Sequence, residues 1–175
     1  MIRSFGGKTP RIAVSTFVSE AAYILGDVEI GEQSCVMPGA VIRGDMGKIT
    51  IGSRVIIEDN CVIHSGSPRV PFRDVVIGDR VIIGHGAVLN CVGIGHHVLV
   101  GMNAAVLHEA EIGNYCIIAA CTLVNQGMKV PDNSFVVGIP GKITGPPTQD
   151  QLWWVDEGVT SYEEVVRQYK KEGLD

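Results

Sequence analysis

The chain of 175 residues has few aromatics, only 6%. Rings therefore cannot fill its core, and aliphatic side chains must do so, since 46% of the residues are apolar. No apolar run approaches membrane-spanning length. The start, Met1-Ile-Arg-Ser-Phe-Gly-Gly-Lys8, lacks the continuous apolar segment of a signal peptide, so no membrane partner is expected. Clusters of Lys or Arg are missing too. With a net charge of −5, this argues against nucleic acid, which needs a basic footprint for its phosphates. The five cysteines, Cys35, Cys61, Cys91, Cys116 and Cys121, show no Cys-x-x-Cys spacing. They read as small buried thiols in a reducing compartment, and a cytoplasmic protein is expected. Hairpin signals such as Asn-Gly are absent, which disfavours a sandwich of antiparallel strands.

What is abundant is Gly, 22 of 175, and a repeat. Ile12, Val18, Ile24, Ile30, Val36 and Ile42 fall six residues apart. The phase restarts at Ile51, Ile57 and Ile63 and again at Ile77 and Ile83. It slips by one near Leu89, then runs from Ile94 through Val100, Val106, Ile112, Ile118, Val124 and Val130 to Val136. Gly often follows the aliphatic, as at Gly31, Gly52, Gly78, Gly84, Gly95, Gly101 and Gly113, and small or β-branched residues sit four after it. A short strand with an inward aliphatic, followed by a tight corner whose dihedrals Gly supplies, accounts for the pattern. Three hexads close a triangular coil of about eighteen residues, and coils stack about 4.8 Å apart.

The hexads resemble the left-handed parallel β-helix family. The resemblance implies an all-β fold of about seven coils, with residues 1–142 as the β-helix domain and 143–175 as a helical segment packed on it. Two interruptions, Arg43 to Thr50 and Ser65 to Asp74 (with Pro68 and Pro71), read as loops leaving at corners. Thr148-x-x-Gln151 and Ser161-x-x-Glu164 read as capping boxes opening two short helices, the second with an apolar face of Tyr162, Val165, Val166 and Tyr169 and a stop at Gly173.

Four of the five histidines, His64, His85, His96 and His97, lie between Asp59 and Gly101. His64 follows Ile63 and Asn90 follows Leu89, each in the third hexad of its coil, so they should stack on one face, both outward. His85 lies toward a different face, and convergence with His64 needs a second chain. A threefold arrangement would supply it, with outward aliphatics at the contact. His108 falls eighteen residues after Asn90, one coil on. His96 and His97, near a corner, read as solvated.

A narrower resemblance is carried by Ile42-Arg-Gly-Asp45, Ile57-Glu-Asp59-Asn60-x-x-x-His64, Gly84-His85, Ile94-Gly-x-x-x-Leu-Val-Gly-Met102 and Val137-Gly-Ile-Pro-Gly141. These motifs are similar to those of the γ-class carbonic anhydrases. That family is a homotrimer binding Zn²⁺ at each subunit interface through three histidines, two from one chain and one from the next. The resemblance implies His64 and Asn90 as ligands from one chain and His85 from its neighbour, with Zn²⁺, or a divalent ion such as Fe²⁺ or Co²⁺, as cofactor. It also implies reversible hydration of CO₂ to bicarbonate through zinc hydroxide, with Glu58, Asp59, Arg43, Asp45 and Tyr162 as catalytic candidates. Two positions depart from the family. Asn90 stands where it has a third His, and offers only a harder carbonyl oxygen. Glu58 stands where it usually has Gln, adding negative charge that raises the pKa of a bound water. Slow catalysis follows. Two further readings stay open, so enzyme status does too: a non-catalytic trimeric assembly or binding protein with a degenerate metal site, and a hexapeptide-repeat acyltransferase using His85 or His108 as base.

Overall fold

The computed structural model describes residues 1–66, 74–90 and 93–174. Cys91 and the centre of the second interruption, including Pro68 and Pro71, lie outside the described residues. Each hexad forms a short strand, usually of two residues, paired in parallel with strands one coil away. Three ladders result. Ile30, Ile51, Ile77, Ile94, Ile112 and Val130 stack on a first face. Ile24, Ile42, Ile63, Leu89, Val106 and Val124 stack on a second. Val18, Val36, Ile57, Ile83, Val100, Ile118 and Val136 stack on a third. The third ladder has eight strands, of which Lys142–Gly145 returns antiparallel over Phe135–Val137, leaving seven parallel rungs. The expected β-helix of about seven coils is therefore observed. Its core is one column of inward aliphatics, all nearly inaccessible to water. Each contributes roughly 2–3 kcal/mol by burial.

Three expectations need correction. The glycines that follow the aliphatics do not supply corner dihedrals. The left-handed corners are held mostly by residues with side chains, among them Arg54, Asn60, His97 and Asn103. Those glycines are needed because coils approach closely: a Cβ at Gly31, Gly52, Gly78, Gly84, Gly95, Gly101 or Gly113 would come within 2.5 to 2.8 Å of backbone in the next coil. The interruption from Arg43 to Thr50 does not leave the coil. Val41–Ile51 is one long strand paired with Tyr23–Ile30, and a register shift between Gly26 and Val28 absorbs the extra residues as a bulge. Finally, the C-terminus forms one helix, Gln149–Glu172, where two were expected.

Thr148 and Gln151 make the capping box, and Gly173 ends the helix in the left-handed region. Ser161 opens no second helix because Val155, Val159, Tyr162, Val166 and Tyr169 form one continuous helical stripe. Val159 is buried against Phe17, Cys35, Met37, Ile56 and Ile82 of the third face, with Tyr162, Val166 and Tyr169 packed beside it. Tyr169 stacks on Phe17 with ring centroids 5.5 Å apart. Val165, expected on this stripe, is 42% exposed. Among the described residues, no helix is long and apolar enough to cross a membrane.

The three faces differ outside. The first presents Glu29, Thr50, Val76, Gly93, Glu111 and Lys129, a mostly polar column. The third presents apolar residues that the helix covers. The second presents Tyr23, Val41, Val62, Val88, Ala105 and Leu123, apolar throughout and, among the described residues, without cover, with Val88 47% exposed.

Candidate functional site

Two groups of polar side chains flank that apolar second face. At the end of its strands, Arg43 pairs in register with His64 one coil on. Arg43 bonds Asp45, and His64 Nε2 lies 3.1 Å from Asp45 Oδ1. Burial pushes the Asp45 carboxyl up, but hydrogen bonds from Arg43 and His64 outweigh it and hold the group below the usual carboxylate range. The Arg43 side chain stays 40% exposed, so the pair is only partly buried. Ile63 pairs with Leu89, which stacks Asn90 directly on His64, as the spacing predicts. Asn90 Nδ2 lies 3.0 Å from His108 Nε2. Taken as the donor, the amide nitrogen is occupied there, and among the described residues Oδ1 has no hydrogen-bond partner.

At the corner where the chain enters the second face, a second group forms. Glu58 is only 8% exposed. Its Oε1 accepts from the Tyr162 hydroxyl at 2.6 Å, and its Oε2 accepts from the His85 backbone N–H at 2.9 Å. The His85 ring lies between two carboxylates, with Nε2 3.3 Å from Glu58 Oε2 and Nδ1 3.0 Å from Asp59 Oδ2. Burial, then the bond and the charge of Glu58, push the Tyr162 phenol up, so it stays protonated as a donor.

Arg43, Asp45, His64, Asn90 and His108 thus form one set, and Glu58, Asp59, His85 and Tyr162 another. His85 and Asn90 belong to the same rung, His85 in the turn from Gly84 to Ala87 that precedes the strand Val88–Leu89 and Asn90 just after that strand. Among the described residues of one chain, no three His, Cys, Asp or Glu side chains converge as a metal group. The donors nevertheless fit a divalent ion once brought together. Asp45 holds one nitrogen of His64, Asp59 one nitrogen of His85, and His108 the amide nitrogen of Asn90. For His64 and Asn90 a partner fixes one end and leaves another donor atom, the arrangement that orients metal ligands, whereas both ring nitrogens of His85 face carboxylates and Nε2 has to turn from Glu58 to meet an ion. The set is two imidazoles and one amide oxygen.

Of the other histidines, His96 is exposed and accepts from the Asp79 N–H. His97 is not simply solvated, because its ring stacks on Tyr115 at 4.9 Å and its Nδ1 lies 3.7 Å from Asp156. His108 was expected to stand a full rung from Asn90. Leu89 pairs with Val106, so Leu107 takes the rung next to Asn90, and His108 lies one residue further on, at the corner, from which its ring reaches back.

A family model described as bacterial transferase hexapeptide (six repeats) matches residues 92–126. A carbonic anhydrase of Geobacillus kaustophilus is 37% identical over 97% of this chain and 91% of its own length. A probable carbonic anhydrase of Methanocaldococcus jannaschii is 42% identical over 91% of this chain and 99% of its own. Among solved structures, a putative acetyltransferase of Bacillus cereus superposes with a TM-score of 0.90 at 37% identity, covering 98% of this chain and 97% of the other. The β-helix is of the left-handed hexapeptide type.

Proposed function

The chain belongs to the hexapeptide-repeat family that includes γ-class carbonic anhydrases, and from that premise we propose a carbonic anhydrase-like protein whose metal centre assembles between the subunits of a homotrimer. One observation carries the reading: two groups of polar side chains, each holding candidate ligands, flank the apolar face that has no cover among the described residues. Three copies joined through that face, in a closed ring, bring His64 and Asn90 of one chain to His85 of the next. Cys35, Cys61 and Cys116 are free and buried, which supports a reducing compartment such as the cytoplasm, whereas Cys121, expected to be buried, is exposed.

His64, Asn90 and the neighbour's His85 would hold the divalent ion. Zn²⁺ suits the imidazoles, and the amide oxygen weakens the hold. When bound, the ion's chemistry is to make water a nucleophile near neutral pH, for attack on the carbon of CO₂. Glu58 takes up the proton side of this work. Tyr162 and the His85 N–H fix its two oxygens, leaving a lone pair of Oε2 to accept a proton from water. Asp45 and Asp59 orient the two imidazoles, and Arg43 keeps Asp45 ionised. The apolar face excludes water around them.

The test is stopped-flow CO₂ hydration by protein loaded with Zn²⁺, for wild type and Asn90→His. Slow hydration by wild type and faster hydration by Asn90→His are expected. No hydration by either, with the trimer intact, would instead support the non-catalytic reading. Transfer of label from acetyl-coenzyme A would move the assignment to the acyltransferases.

A further inference from the structure

Glu58 closes one end of a cleft that CO₂ chemistry leaves unused. Residues following the inward aliphatics of the third face form an outward column, and the registers stack Glu58, Gly84, Gly101 and Ala119 in successive coils. Above the carboxylate, three rungs in a row therefore lack a side chain larger than methyl. The C-terminal helix bridges this trough without filling it. It is pressed close at Gly158, where a Cβ would lie 2.7 Å from the tip of Ile82. The void is a cleft of about 510 Å³, apolar along most of its length, with Trp153 and Trp154 at its mouth. That is the size of sites for small organic molecules.

Charge narrows the occupant. Among the described residues lining the cleft, the charged ones are Glu58 at its end and Glu157 on the helix, both acidic, and neither Lys nor Arg is among them. An anionic ligand would meet two carboxylates and no counter-charge. An organic cation would find a carboxylate, indole faces for its charge and an apolar floor for its body. We propose that this cleft binds a small organic ammonium compound with an apolar body, its nitrogen toward Glu58 or Glu157. The proposal needs no metal, and it extends the proposed function by giving the Glu58 carboxylate a second ligand.

The experiment titrates benzylammonium, benzyl alcohol and benzoate into the full-length protein in the presence of a chelator, followed by calorimetry and tryptophan fluorescence. Saturable binding of benzylammonium is expected at one per chain, with a change in tryptophan emission and benzoate at least about tenfold weaker, the difference made by one favourable charge contact. Ala119→Phe, which fills the trough, abolishes binding. Glu157→Gln, an exposed helix position that leaves the fold intact, weakens it about two- to fivefold. Absence of benzylammonium binding, benzoate binding as tight as the amine, or affinity unchanged in both variants would overturn the proposal. The chelator separates this outcome from failure of the metal reading.

Discussion

His108 has no role in the chemistry written for Asn90 unless its bond to the amide matters. With Asn90 Nδ2 held at 3.0 Å by His108, Oδ1 is the amide atom that would serve as the donor. His108→Ala is expected to weaken metal binding in the wild type by roughly the 10–100-fold seen when a partner of a ligand is lost. In an Asn90→His background it should have little effect. Competition with a chromogenic chelator reads both, and equal losses in the two backgrounds would rule out this positioning. Asp45 gives a pH signature. Its folded value lies below the unfolded one, so its stabilisation is present above about pH 4 and lost as pH falls through the lower folded value. Thermal melts from pH 6 to pH 3 should show a steeper decline for wild type than for Asp45→Asn. The difference is about 1 kcal/mol, since Arg43 is partly solvated. Burial pushes the Cys35 and Cys61 thiols up to about 12, so iodoacetamide at pH 8 should label the exposed Cys121 well before either. The hexad phase made the stacking of Asn90 on His64 legible in the sequence, but the one-residue slip puts Leu107 on the next rung and His108 one residue beyond it. Which ring nitrogen meets which carboxylate was not legible, because rotamers and the placement of the helix decide that.

Hexad strands are too short to be stable alone, and each depends on the coils above and below it. Ile83→Ala, in the middle of the column, is therefore expected to cost about 2–5 kcal/mol in urea unfolding. Gly101→Val tests the close approach of coils, since its Cβ would meet the backbone nitrogen of Ala120 at 2.5 Å. A loss of stability without change in the inward column is expected, about 1–3 kcal/mol. Here the inward aliphatics were legible one by one, because a six-residue period survives every corner. The reason for the glycines was not, as the distance between neighbouring coils is a tertiary quantity. The single C-terminal helix was missed for a related reason. Ser161-x-x-Glu164 carries a local start signal, but the stripe from Val155 to Tyr169 gains more by packing unbroken on the third face.

At the scale of the whole molecule, one side of the prism is mostly polar, one is covered by its own helix, and one is apolar and, among the described residues, uncovered. In the proposed trimer, that asymmetry would leave the candidate site incomplete in a single chain. Val88→Glu, in the centre of the uncovered column, should shift the protein from trimer to monomer in light scattering and abolish metal binding together with it. The sequence placed the two half-sites on different parts of the coil, since hexad position fixes the edge. How far apart they lie depended on the built fold. The most direct measurement is equilibrium binding of Zn²⁺ to metal-free trimer, for wild type and Asn90→His. One ion per subunit is expected, held weakly by wild type and at least about tenfold more tightly by Asn90→His. An intact trimer that binds no zinc in either form would contradict a metal centre shared between subunits.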